Sequence, residues 1–174
     1  MRRIYFALTF SQEEEASLLQ YRSQLIDCAS SLKPIPENSL HMTLAFIGES
    51  DEDTVTAMRA ILSEITFKPF SFTVSGLDYF PERQGKRLYY LTTSHDEGLY
   101  ALQKQLTDRL KAHKQPFHDK AFLPHMTLAR KTVLHKEPKF PIYCTLHVSS
   151  IHLLESIPYE NTRIGIIIDN EKRA

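Results

Sequence analysis

The pentapeptide His-Met-Thr-Leu-Ala occurs twice in this chain, at residues 41–45 and again at 125–129, a separation of 84 positions. Five consecutive identities at that distance point to a duplicated folding unit. In a strand, side chains alternate between faces, so residues i and i+2 point the same way. His41 and Thr43 then share one face, and so do His125 and Thr127. Met42, Leu44, Met126 and Leu128 point to the other face, toward a core. An imidazole beside a hydroxyl, presented twice, suits phosphate chemistry: one His removes a proton, the other supplies one, and two hydroxyls hold an oxyanion.

The repeat extends beyond the pentapeptide at the same offset of 84, without a gap. Arg3-Ile4-Tyr5-Phe6 aligns with Arg87-Leu88-Tyr89-Tyr90, Thr9 with Thr93, Glu13 with Glu97 and Leu18 with Leu102. Each copy begins with an aromatic, apolar strand, predicted over 3–10 and 87–94. A helix follows in each. The first is predicted over 12–32, with Leu18, Leu19, Leu25 and Ile26 as its buried stripe. The second is predicted over 97–113, with Leu99, Leu102, Leu106 and Leu110 at helical spacing. Prolines break the chain at Pro34, Pro36 and Pro116 before each motif strand. After the first motif, an acidic start predicts a further helix over 51–65. Strands follow in both copies, Phe72-Thr73-Val74-Ser75 aligning with Leu146-His147-Val148-Ser149, and a closing strand spans 162–169. The expectation is one two-lobed domain over 1–174, with internal repeats at about 3–80 and 87–156. An approximate twofold would bring the two histidine strands together, and ligands commonly bind where such halves meet.

At 174 residues the chain is long enough for one domain with a real core, and no apolar run approaches the ~20 residues of a membrane helix. The opening MRRIYFALTF breaks at once into acidic residues with no small-residue cleavage site, so it reads as a first strand. Cys28 and Cys144 form no close or metal-spaced motif, which suggests a reduced cytoplasmic protein with both thiols buried. Net charge is zero, against a broad surface for long nucleic acid. Locally, residues 11–64 hold ten acids against three bases, and residues 109–139 hold eight bases against two acids. Most of these belong to ordinary solvated faces. Beside the second motif they also make a positive field suited to a small anionic group.

The strings Leu40-His41-Met42-Thr43-Leu44-Ala45-Phe46-Ile47-Gly48 and Pro124-His125-Met126-Thr127-Leu128-Ala129-Arg130 resemble the two-histidine phosphoesterase superfamily. In particular they look like the RNA 2′,3′-cyclic phosphodiesterases, also known as 2′-5′ RNA ligases. The resemblance covers nearly the whole chain. It implies a bilobal α+β fold, with an antiparallel sheet in each lobe, helices outside and a cleft between. It also implies opening of a 2′,3′-cyclic phosphate to a 2′-phosphomonoester, with reversible 2′-5′ ligation of RNA ends in some members. Neither metal nor cofactor is implied. By matching position, His41 and His125 are the catalytic pair, His41 as acid to the leaving O3′ and His125 as base to water. Thr43, Thr127 and Arg130 are phosphate ligands, and Phe46 packs on the nucleoside. The implied partners are RNA ends or small nucleotides bearing a cyclic phosphate, acted on by a monomer without a membrane.

Strict alternation opposes two of these assignments. It puts Phe46 and Arg130 on the faces opposite His41 and His125, unless a bulge near the strand end re-aims them. Read alone, Phe46 is as readily a core residue, whereas for Arg130 the alternative, a surface ion pair, is the lesser reading. Tyr5, Phe6, Tyr89 and Tyr90 read first as core, although some could reach the cleft. His95, His113, His118, His135, His147 and His152 lack a partner motif and read as surface or structural residues, with His147 and His152 on one strand. Two other functions stay open: a phosphodiesterase for another small cyclic nucleotide, and a non-catalytic nucleotide- or RNA-binding module.

Overall fold

Three side-chain caps set where the helices begin. Ser11 accepts from the Glu14 amide while Glu14 returns the bond to the Ser11 amide, a complete capping box. Asp51 accepts from the Thr54 amide and Asp96 from the Leu99 amide. The structure, a computed structural model, describes residues 1–169. The elements run β1 (Arg2–Thr9), α1 (Gln12–Cys28), β2 (Ala29–Pro34), β3 (His41–Ser50), α2 (Glu52–Glu64), β4 (Phe70–Pro81), β5 (Arg87–Thr93), α3 (Glu97–Ala112), β6 (His125–Leu134), β7 (Cys144–Val148), β8 (His152–Tyr159) and β9 (Thr162–Ile167).

The strands form two sheets, ordered β3-β1-β8-β9 and β2-β6-β5-β4-β7, and every neighbouring pair is antiparallel. Helices pack on one face of this arrangement. α1 lies against β2, β6 and β7, α2 against β3 and β8, and α3 against β3 and β4. Ile4, Phe6 and Leu8 of β1, Met42 and Leu44 of β3, Leu91 of β5, and Met126 and Leu128 of β6 all enter the main core. Leu99, Leu102, Leu106 and Leu110 complete it from α3, each at most 2 % exposed. The opposite faces of β1, β3, β5 and β6 are thereby left to carry polar groups. This is the α+β architecture of two antiparallel sheets with outer helices that the family resemblance implied. No helix among the described residues is long and apolar enough to cross a membrane.

Several details depart from the sequence reading. The first helix stops at Cys28, not residue 32, and Ala29–Pro34 is instead an edge strand paired with β6. Two serines are weak helix formers, and at a sheet edge Pro34 costs no interior ladder bond. Ile26 therefore sits outside the buried stripe, 40 % exposed, whereas Leu18 and Leu25 are fully buried and Leu19 is half-buried. The segments around Phe72 and Leu146, aligned above as equivalents, pair directly with each other. The sheets also cross the repeat boundaries: β2 joins the sheet of the second motif, and β8 and β9 join that of the first. His147 and His152 stand on separate strands, with His147 bonded to the Ser71 hydroxyl at 2.7 Å and His152 to the Asp169 carboxylate at 2.6 Å. Cys28 is buried but Cys144 is only half-buried, and neither forms a disulfide.

The offset of 84 also slips by one residue at the first strands. Thr9 pairs with His41 and Ala7 with Thr43, whereas Thr92 pairs with His125 and Tyr90 with Thr127. Relative to the motif strands the equivalence is therefore 83, and a slip of one exchanges the two faces of a strand. Tyr5 lies on the polar face of β1, while Tyr89, its apparent partner, lies in the main core.

Because Leu106 is fully buried at the centre of α3, Leu106→Ala should lower unfolding free energy by about 2–5 kcal/mol. Denaturant titration would show this as a lower midpoint at unchanged slope.

Candidate active site

Both motif strands break alternation at the same place. In β3, Phe6 pairs with Ala45 and Ala7 with Thr43, so Leu44 is an extra residue in the ladder. In β6, Tyr89 pairs with Ala129 and Tyr90 with Thr127, so Leu128 is extra. Leu44 and Ala45 are consecutively buried, as are Leu128 and Ala129. Each β-bulge shifts the phase by one, so the following residue returns to the face of the histidine. The following residues are Phe46 and Arg130, and both line the same cleft as His41 and His125. A second irregularity after Phe46 brings Gly48 to φ 98°, a conformation that suits glycine.

The cleft encloses about 930 Å³ and is lined from both sheets. His41, Thr43, Phe46, His125 and Arg130 all contribute to its wall. Thr127 shares the His125 face of β6, half-buried opposite Tyr90, next to that lining rather than in it. The two imidazoles are held alike. His41 Nδ1 lies 2.9 Å from the Ser39 carbonyl oxygen, and His125 Nδ1 lies 2.7 Å from the Leu123 carbonyl oxygen. A carbonyl only accepts, so each Nδ1 carries the proton and each Nε2 is left for a ligand. Rings fix the orientation further. Tyr5 sits 5.1 Å from His41, while Tyr90 and Phe80 present edge contacts to His125 at 5.3 and 5.7 Å. Tyr5 fits there because residue 165 is glycine: a Cβ would stand 2.0 Å from the Tyr5 hydroxyl.

The charge pattern is one-sided. Arg3, Lys120, Arg130 and Arg163 line the cleft, and no carboxylate does among the described residues. Arg163 is bonded to Ser156, and the Arg3 guanidinium stacks 5.0 Å from the Phe46 ring centre. Arg130 has no ion-pair partner among the described residues. Burial, then the nearby His125 and Arg130 charges, hold the His41 imidazole below its usual range, although its bond to Ser39 pulls the other way. Burial pushes the Tyr5 hydroxyl up to about 12, so it remains a phenol. No group of three or more His, Cys, Asp or Glu side chains is placed to share a metal ion among the described residues.

Some cleft residues gave no local signal in the sequence. His118, read as a surface or structural residue, packs edge-on against Phe46 at 4.8 Å, and its amide donates to the Phe46 carbonyl at 2.9 Å. Arg3, Lys120 and Arg163 arrive from three different segments, and only the fold collects them. Tyr5 and Tyr90 are the aromatics of the first strands that reach the cleft face, as the register above requires.

Comparison with known proteins gives the family of the chain. The family model of the 2′-5′ RNA ligase superfamily matches residues 11–156. The chain belongs to that superfamily. An RNA 2′,3′-cyclic phosphodiesterase of Thermotoga maritima is 28% identical over 130 residues, covering 74% of this chain and 69% of the relative. A solved structure from Thermus thermophilus superposes with a TM-score of 0.80 at 24% identity, covering 95% of this chain and 94% of that one. E. coli LigT, solved with 3′-AMP, superposes with a TM-score of 0.77 at 20% identity, covering 96% and 94%. At these identities the two structural likenesses establish the fold of this superfamily member.

Arg130 is one of the charges that hold His41 down, so Arg130→Gln should raise the His41 titration midpoint toward the ordinary imidazole value of ~6.5. Removing a neighbouring cation favours the protonated ring, while burial still keeps the recovery incomplete. An NMR pH titration of the His41 ring in both proteins measures the shift. No movement, or movement downward, would show that Arg130 does not act on this imidazole.

Proposed function

We propose that this superfamily member hydrolyses RNA 2′,3′-cyclic phosphate ends to 2′-phosphomonoesters, with the two motif histidines as general acid and base. The observation that carries this reading is two Nδ1-anchored imidazoles lining one cation-rich cleft beside an uncommitted arginine. A cyclic phosphodiester is a small anion with a strained P–O3′ bond. Its hydrolysis needs a proton taken from water on one side and given to O3′ on the other. Correctly protonated imidazoles give typically ~10²- to 10⁴-fold each. Arg130 offers its fork to the equatorial oxygens, and the Thr43 and Thr127 hydroxyls donate as charge builds there. Phe46 packs on the nucleoside. The phosphodiesterase name of the Thermotoga relative supports the same substrate class.

His125 serves as base to water and His41 as acid to O3′. In the free site burial and the neighbouring positive charges favour neutral His41. A phosphodiester anion seated on Arg130 cancels part of that repulsion and favours the imidazolium that an acid requires. Water and an RNA 5′-hydroxyl approach the phosphorus in the same way, so 2′-5′ ligation is the same chemistry with a different nucleophile.

The test uses a short RNA ending in a 2′,3′-cyclic phosphate, with EDTA present throughout. His41→Ala and His125→Ala should each lose at least ~10²-fold in kcat, and the double variant should be little worse than the weaker single one, since the pair acts as a unit. A substrate with sulfur in place of the leaving O3′ needs no acid, so it should restore His41→Ala but not His125→Ala. Rescue of His125→Ala alone would reverse the two roles. Near-normal turnover in the single variants would remove the two-histidine mechanism.

The neighbours of the pair separate by kinetics. Arg130→Lys keeps the charge but loses the planar fork, so kcat should fall. Phe46→Ala should chiefly raise KM. A Phe46→Ala variant with unchanged KM on nucleoside substrates would take Phe46 out of the binding site.

A further inference from the structure

Exposed apolar side chains that gather in one place mark a binding surface. Among the described residues, Phe80 and Leu123 are the exposed large hydrophobic side chains that line the main cleft, at 38 % and 45 % exposure. Both stand with His125. The Phe80 ring meets that imidazole edge-on at 5.7 Å, and the Leu123 carbonyl holds its Nδ1. Phe80 comes from the end of β4, and the buried Tyr90 ring backs it with centroids 4.4 Å apart. An aromatic ring supported from behind and open to the cleft is a platform for stacking a flat group. On the other side, half-buried Phe46 belongs with His41, since the Tyr5 ring touches both. Each imidazole therefore has its own aromatic ring in the cleft, carried by a different sheet.

Displacement at phosphorus places the attacking and leaving oxygens roughly in line, on opposite sides. With His41 as acid to O3′, the nucleoside that bears the cyclic phosphate lies toward His41, where Phe46 packs on it. With His125 as base, the nucleophile enters beside Phe80. Water needs no apolar platform there. A nucleophile that is itself the 5′-hydroxyl of a nucleoside brings a base with it, and any base has a flat face to stack. We propose that Phe80 is the stacking platform for the nucleoside that supplies a 5′-hydroxyl to the cyclic phosphate. This rests on the phosphodiesterase reading above and on its assignment of the two histidines.

In that step His125 takes the hydroxyl proton as O5′ bonds to phosphorus, the P–O3′ bond breaks, and His41 protonates O3′. Phosphorus is left joined to O2′ and O5′, so one phosphodiester bond replaces another and no co-reactant is needed. The imidazoles finish with one proton gained and one lost, and both return to their starting state by exchange with solvent. Hydrolysis is the same step with water in place of the 5′-hydroxyl. The two outcomes therefore compete in one site.

That competition is the test. Uridine 2′,3′-cyclic phosphate is supplied together with 2′,3′-dideoxyadenosine, whose single hydroxyl is the 5′ one, and with methanol, an alcohol without a base. Chromatography reads the 2′-ester of each alcohol and the 2′-phosphate. Both alcohols use the same acid and base, so their ratio cancels any disturbance of His125 caused by a change at Phe80. The wild-type protein should favour the nucleoside over methanol, mole for mole. Phe80→Leu keeps the bulk without the ring and should lower that ratio by about 5- to 150-fold, the equivalent of ~1–3 kcal/mol for one stacked base. Phe80→Trp should preserve the ratio, and Phe46→Leu should leave it unchanged while raising KM for the cyclic nucleotide. An unchanged ratio in Phe80→Leu, or a fall in Phe46→Leu instead, would overturn the assignment. So would a wild-type protein that forms no nucleoside ester, with or without the methyl ester. If the wild-type protein consumes no cyclic phosphate at all, the phosphodiesterase reading itself fails, a result distinct from hydrolysis without ester formation.

Discussion

One extra residue in each motif strand is the constraint on which the site depends. Without the bulges at Leu44 and Leu128, plain alternation would aim Phe46 and Arg130 into the helix-covered side of the sheets. The main core would then have to hold an unpaired guanidinium, whose desolvation is costly. With the bulges, each motif presents three groups to the cleft side: an imidazole, a hydroxyl-bearing side chain, and a third residue that differs between the copies. The difference is chemically divided, an aromatic ring on β3 and a cation on β6. Ala45 and Ala129, which follow the bulges, are small enough to sit buried beside a leucine without crowding the ladder.

Electrostatics then sets the preference for an anion. Four cationic side chains and no carboxylate line the cleft among the described residues, although the whole chain is neutral. A low-dielectric wall strengthens such a field locally. The same field acts on the motif imidazoles, since Arg130 and His125 both favour neutral His41 in the free site. Under the proposed mechanism substrate binding and proton inventory are coupled: an anion seated on Arg130 also stabilises a protonated His41. The backbone bonds at both Nδ1 atoms leave Nε2 as the free nitrogen of each ring, and the packed aromatic rings limit how far either imidazole turns.

Much of this was legible in the chain because the information was local. The His-x-Thr spacing, the helix starts predicted at residues 12, 51 and 97, and the leucine stripe of α3 each depend on neighbours within a few residues. The misread elements depend on partners distant in sequence. Ala29–Pro34 becomes a strand only because β6, about 100 residues later, supplies its ladder. The one-residue slip at Tyr5 and Tyr89 is invisible in a self-alignment rich in aromatics, since a Tyr-Phe or Tyr-Tyr pair matches in either phase. Register decides it, and register belongs to the folded sheet. Bulges are similar: Leu44-Ala45 and Leu128-Ala129 show no more than a run of apolar residues. Yet the demand that both Phe46 and Arg130 face the histidines already required a bulge between them.

The crossing of strands between the two copies gives the cleft its stiffness. β2, from the first copy, is hydrogen-bonded to β6 of the second, while β8 and β9, from the end of the chain, extend the sheet of β1 and β3. A hinge that simply parted the two copies would have to break those ladders. Helix α3 adds a further tie by packing against β3 although it belongs to the second copy. The two histidines thus sit on strands of sheets that both copies help to build. This arrangement favours imidazoles held at a preset separation, with substrate entering a formed cleft, over closure of independent lobes around it. Such preorganisation suits acid–base catalysis on a small ring, where proton donor and acceptor must both be in place before the P–O bond lengthens.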